Sequence, residues 1–172
     1  AYYFVTPSET VADDKVSAFR TFIEDLGAIP ILYSPERHDE ITAYISHIPH
    51  IIASSLVNLV AAQDDQSGML KQLAAGGFKD ITRIASSNPV VWEHILLSNP
   101  VNIVKGLQTF RNEIDTMIDA IQSEDARGIY SFFDSAKDYR NSIPEHATGV
   151  IRVNYEVYID IPDVPNAIAK AV

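Results

Sequence analysis

Three times in this chain a serine or asparagine stands directly before a proline: Ser34-Pro35, Asn88-Pro89 and Asn99-Pro100. A serine or asparagine side chain accepts a hydrogen bond from the first free N–H groups of a helix, and a proline in the first turn gives up only an N–H that has no partner there. Each pair therefore predicts a helix start after a sharp turn. Between these starts the apolar residues keep helical time. After Pro100, the residues Ile103, Val104, Leu107, Phe110, Ile114, Met117, Ile118 and Ile121 recur at three- and four-residue steps. A longer pattern opens at Pro35 and runs through ERHDEITAYISHIPHIIASSLVNLVAA, where Pro49 removes one N–H from the ladder and predicts a kink. DDQSG reads as a turn. MLKQLAA begins a further helix that Gly76 and Gly77 are expected to end, and SEDARGIYSFFDSAKDYRNS forms a last helix before Pro144. From residue 34 to about 142 the chain is expected to be all-helical.

The two ends read differently. Residues 2–6 form a strand by composition, Thr10 with Asp13 resembles a capping box for the helix ADDKVSAFRTFIEDLG, Gly27 ends that helix, and IPILYS is a second strand. Such a β-α-β piece is too small to stand alone, and it fits the tail of a larger sheet. After EHATGVIRVN, a linker, the stretch YEVYIDIPDVPNAIAKAV reads as a strand, a Pro-rich turn and the opening of a helix. Both termini therefore look cut. The expected divisions are 1–33, 34–142, 143–153 and 154–172.

A formal charge of -10 argues against nucleic acid as a partner, because that affinity comes largely from Lys/Arg clusters that release counterions. No apolar run is read as approaching the ~20 residues of a membrane span, so no membrane partner is expected and the chain is read as soluble. Without cysteine it has neither disulfides nor thiolate ligands, which suits a reducing cytoplasm. Wide apolar faces on several helices predict a deep bundle or helices shared between subunits, and so a homodimer.

Few residues stand out chemically. His47 and His50 lie three apart on one helix, so their rings share a face, but no acid stands at a signature metal-site spacing, and no metal is expected. Asp80 and Arg83 have the spacing of a surface ion pair. Their position suggests more: the break at Gly76 and Gly77 leaves backbone N–H groups free, and an arginine one turn on would clamp a carboxylate bidentately. Trp92, the only tryptophan, is either core or a wall of that site. No Ser-His-Asp arrangement and no G-x-G-x-x-G dinucleotide loop is present.

SHIPHIIASSLV followed by GGFKDITRIASSNPVVW resembles the substrate domain of the prephenate dehydrogenases, over residues 2 to about 142. The tail VYIDIPDVPNAIAKAV resembles the first strand and helix of an ACT regulatory domain. This resemblance implies a mainly α fold, a helical bundle and dimerisation domain preceded by a small β-α-β remnant of a Rossmann-type sheet. It implies an enzyme that converts prephenate to 4-hydroxyphenylpyruvate by transfer of a hydride to NAD coupled to decarboxylation. His50 would line the prephenate pocket, Arg83 would hold a substrate carboxylate, and Asp80 would pair with Arg83 as gate or orienter. Gly76 would bring backbone close to the ligand across the dimer interface, and Trp92 would close the pocket. The catalytic histidine and the cofactor loop would belong to an N-terminal domain outside this chain, so neither catalytic nor NAD-binding residues are expected here. Tyrosine would enter as product or feedback inhibitor. Ala75 stands where a third glycine is common, WEH replaces the more usual Trp-Arg-Asp, and Asn166 stands where the ACT motif prefers glycine. Two other readings stay open: arogenate, with an amino group on the side chain, as substrate, and a helical dimerisation or regulatory module with no reaction of its own.

Overall fold

The computed structural model describes residues 1–144. The expected linker beyond its first two positions and the ACT-like tail at 154–172 lie outside the described residues.

Two short strands, β1 (Tyr2–Val5) and β2 (Ile29–Leu32), pair in parallel from Tyr2 opposite Ile29 to Val5 opposite Leu32. The crossover between them is α1 (Asp13–Asp25), which packs on β2 and buries Ile23. Gly27 turns the chain out of α1 at φ +78°, and Ala28 N–H donates to the carbonyl of Ile23 at 3.1 Å. A left-handed residue followed by this backward bond is the glycine-dependent helix stop that Gly27 predicts. The capping box at the other end is not formed. α1 starts after Ala12 with no side-chain cap, the Thr10 hydroxyl pairs with that of Ser8 at 2.9 Å, and Asp13 and Asp14 instead place charge at the positive end of the helix.

The remaining described residues form a helical domain. In chain order its parts are α2 (Pro35–Thr42), a π-helical turn (Ala43–His47), α3 (Ile48–Gln63), α4 (Met69–Gln72), α5 (Gly76–Thr82), a 3₁₀ turn (Arg83–Ser86), α6 (Pro89–Ser98), α7 (Pro100–Gln122) and α8 (Ala126–Ser142). Ser34 caps α2 by accepting from Arg37 N–H, and Asn88 caps α6 by accepting from Val90 N–H, as their sequence predicts. Asn99 departs from that pattern. It is buried and makes no cap bond: its amide donates to the carbonyl of Asp39 at 2.7 Å, tying the start of α7 to α2, while its oxygen accepts from Asn102.

Pro49 also acts otherwise than predicted. Its ring would crowd the carbonyl four residues back in a regular helix. The preceding turn widens instead, with Ile48 N–H donating to Ala43 five residues back, so the strain is absorbed in a π turn. The uninterrupted helical span Pro35–Gln63 is long and apolar enough to cross a membrane, and residues 41–63 hold no Asp, Glu, Lys or Arg. This corrects the expectation that no such run exists. Within the fold its apolar residues serve packing: Ala43, Ile48 and Ala53 are buried, and α3 packs against α5, the 3₁₀ turn and α7.

α7 approaches this long helix most closely at Gly106. A Cβ built there would overlap Ile48 Cδ1 and press on the Tyr44 ring at 3.3 Å, so a larger residue would have to displace the Ile48 side chain. Val101 and Val104 at the inner end of α7 stay exposed, but the side of that end toward the long helix is thereby covered, with Ile103 buried. Its outer end is not, because Ile114, Ile118 and Ile121 remain 44%, 44% and 60% exposed.

Candidate functional site

A cavity of about 380 Å³ opens between α3, α6 and the 3₁₀ turn, within the range of small-molecule sites. α3 lines it with His50, Ile51, Ser54, Ser55 and Asn58, one stripe at helical spacing. α6 faces that stripe with Pro89, Trp92, Glu93 and Leu96, and Ile84, Ala85 and Ser87 close one side. The polar residues of the uncharged helix α3 thus gather on its cavity side, His50, Ser54 and Asn58 standing at successive four-residue steps.

His50 and Trp92 form the centre of the wall. Their rings stack at 3.8 Å with 29° between planes. His50 Nδ1 lies 3.0 Å from the Ser46 carbonyl, one turn back. A carbonyl only accepts, so Nδ1 carries the hydrogen, and in the neutral ring Nε2 is left as an acceptor. The widened turn before Pro49 lies immediately ahead of this pair. His47 packs edge-on against Trp92 at 6.2 Å. Burial pushes its imidazole below the ordinary value; the Asp39 charge opposes this, and His38 and His50 add to it. Its Nδ1 is buried without a hydrogen-bond partner among the described residues, which only a neutral ring tolerates well.

The other residues singled out by sequence lie elsewhere. Gly76 and Asp80 are exposed on α5, and Arg83 is exposed at the start of the 3₁₀ turn, next to the wall residues Ile84 and Ala85 but not in the wall itself. The expected Asp80–Arg83 pair is not formed: ion pairs among the described residues are Arg20–Glu24, Arg37–Glu40, His38–Asp39 and Lys137–Asp134. The exposed pairs that do form lie within single regular helices, whereas α5 ends at Thr82 and Arg83 opens the 3₁₀ turn. Gly76 and Gly77 open α5 rather than closing the helix before it, and a Cβ on either would meet nothing within 4 Å. The space around them is not filled by the described residues.

His47 and His50 both turn toward Trp92, and no group of three or more metal-ligating side chains occurs among the described residues. The turn from β1 into α1 reads TPSETVA and carries no glycine of a dinucleotide-binding loop. Sequence reasoning assigns no role to Ser54, Asn58 or Glu93, the last standing out only as part of the unusual WEH. The signal for the first two was the four-residue polar step from His50; for Glu93 it was adjacency to Trp92 on a helix whose next turn, Leu96, shares the face.

Residues 34–135 match the family described as prephenate dehydrogenase, dimerization domain. The chain is 38% identical over 170 residues to the prephenate dehydrogenase of Bacillus subtilis, which covers 99% of this chain and 46% of that protein. Among solved structures it resembles prephenate dehydrogenase from A. aeolicus, solved in complex with hydroxyphenyl propionate and NAD+, with TM-score 0.78, 29% identity, 83% of this chain and 50% of that one. Synechocystis arogenate dehydrogenase is similar at TM-score 0.75 and 26% identity, over 81% of this chain and 51% of that one. The chain thus spans about half the length of the relatives it matches. On the family match over the domain that builds the cavity, this chain belongs to the prephenate dehydrogenase family.

Proposed function

We propose that this chain is the substrate-binding and dimerisation portion of a cytoplasmic, NAD-dependent prephenate dehydrogenase, which oxidatively decarboxylates prephenate to 4-hydroxyphenylpyruvate. The observation that carries the reading is the cavity walled by stacked His50 and Trp92 inside the region that matches the family. NAD supplies the hydride acceptor, and its site lies outside the described residues. The chain's own residues bind and orient. His50 is held by Ser46 so that Nε2 is the ring atom that meets a ligand, and Trp92 fixes the plane of that ring. Arg83, beside the cavity wall, holds a substrate carboxylate at the mouth, with Asp80 as its orienter once substrate or a second subunit is present. The open space at Gly76 admits close approach of backbone to ligand across a dimer interface. That dimer forms through the exposed apolar side of α7, and residues 154–172 begin an ACT-like domain.

The test is steady-state NADH formation in the enzyme carrying its nucleotide-binding domain. A charge-assisted bond to a carboxylate is worth about 1.5–3 kcal/mol, so Arg83→Ala should raise KM for prephenate about 10-fold to 150-fold and leave KM for NAD unchanged. An unchanged KM for prephenate would remove Arg83 from the site. The similarity to an arogenate dehydrogenase favours a second reading, in which the substrate is arogenate.

A further inference from the structure

We infer that Pro49 is a positioning residue for the substrate cavity: the widened turn that precedes it sets the rotation of α3 that brings His50 onto Trp92. The inference rests on reading that cavity as the substrate site. Pro49 stands in the first turn of α3, inside a helical span that runs unbroken from Pro35 to Gln63. It is the one residue between 36 and 63 without an N–H for the ladder, and Ile48 N–H just ahead of it donates to Ala43, five residues back. Such a turn holds one residue more than an α turn. At 3.6 residues per turn each residue advances a helix by about 100°, so α3 is turned by about 100° from where a continuous α-helix would carry it. The stretch ahead of the turn is anchored separately. The Asp39 carbonyl accepts from the buried Asn99 at 2.7 Å, and the His38 ring packs edge-on against Phe4 at 5.6 Å. With α2 held, the extra residue decides which side of α3 meets α6. The side it brings round bears His50, Ser54 and Asn58, which line the cavity together with Trp92. The His50 ring depends on the turn a second time. Its Nδ1 donates to the carbonyl of Ser46, a residue of the widened turn, at 3.0 Å, and the ring lies on that of Trp92 at 3.8 Å. One backbone feature thus aims both the helix face and the imidazole. Pro49 is not itself among the lining residues, so it acts through His50 rather than on a ligand.

The experiment uses the enzyme carrying its nucleotide-binding domain and two changes to the turn. Pro49→Ala restores the N–H and lets the turn tighten. It should raise KM for prephenate at least about tenfold, the effect of losing a hydrogen bond to a charged group, and leave KM for NAD unchanged. The Trp92 emission, isolated by Trp92→Phe in each background, should move to longer wavelength as the imidazole leaves the indole. Deletion of Ile45, 68% exposed within the turn, removes the extra residue and leaves His50 four residues after Ser46. Combined with Pro49→Ala it restores the rotation, so KM for prephenate and the Trp92 emission should return to near the wild-type values. A proline that serves stability alone would lower the unfolding midpoint in Pro49→Ala without moving KM or emission. An unchanged KM for prephenate in Pro49→Ala, or no recovery on deletion of Ile45, overturns the inference and leaves the proposed function standing. Should Pro49→Ala alone fail to fold, the deletion variant still decides: a folded enzyme with wild-type KM supports the inference, and any other result overturns it. A wild-type enzyme that does not oxidise prephenate overturns the proposed function on which it rests.

Discussion

The two ends of α7 carry the same apolar rhythm and meet different fates. At its inner end Ile103 is buried, Asn99 is bonded across to Asp39, and Gly106 lets the long helix come within contact. At its outer end Ile114, Ile118 and Ile121 stand largely exposed, and on α8 Tyr130, Phe133 and Tyr139 do the same. Periodicity states that a face is to be buried. It does not state what buries it. The side of the inner end that faces the long helix is covered by its own chain, while Val101 and Val104 stay exposed; the outer end is the surface proposed above for a second copy, in the region that matches a dimerisation domain.

The sharpest way to break this comparison is to charge the outer end. Burying an isoleucine contributes about 1.5–3 kcal/mol, so Ile114→Asp with Ile118→Asp should weaken association about 100-fold or more, read as a dimer-to-monomer shift in sedimentation. Helix content by circular dichroism should be retained. The corresponding change at the inner end should do the reverse. Gly106→Leu forces a side chain into Ile48 and Tyr44, and overpacking of this kind costs about 1–3 kcal/mol; the midpoint of thermal unfolding should fall while the dimer persists. Loss of the dimer in Gly106→Leu, with stability unchanged, would show that the two ends have been assigned the wrong way round.

A smaller effect separates the cavity side from the dimer side by pH. His47 is held below its ordinary pKa of about 6.5 by burial. The unfolded chain then binds a proton that the folded one refuses, so stability is complete above about pH 6.5 and declines as pH falls below it. His47→Gln should flatten that decline in a pH series of thermal unfolding. An identical decline in the variant would place its origin in other groups.

Much of the architecture was legible because it is locally encoded. Ser34-Pro35 and Asn88-Pro89 start helices through bonds to residues two or three positions away, and Gly27 stops one through its own backbone. Where a distant group intervenes, local reading fails. Asn99 looks like the same cap, but the carbonyl of Asp39 takes its amide from 60 residues away. Pro49 predicts a kink, yet the chain widens one turn instead, and α7 packs against that turn. The site divides along the same line. His50 and Trp92 are brought together, while Asp80 and Arg83 do not pair, because Asp80 belongs to α5 and Arg83 to the 3₁₀ turn that follows it. Glu93, Ser54 and Asn58 were passed over individually, since only the packing of α3 on α6 makes them one wall.

The central claim is that this cavity is where substrate binds, and its only tryptophan reports on it directly. In the enzyme carrying its nucleotide-binding domain, the emission difference between wild type and Trp92→Phe isolates the signal of Trp92. Titration with prephenate should change that signal saturably, with a midpoint that follows the kinetic KM and moves with it in Arg83→Ala. A Trp92 signal that stays flat at prephenate concentrations that saturate turnover would contradict the account and place the substrate elsewhere.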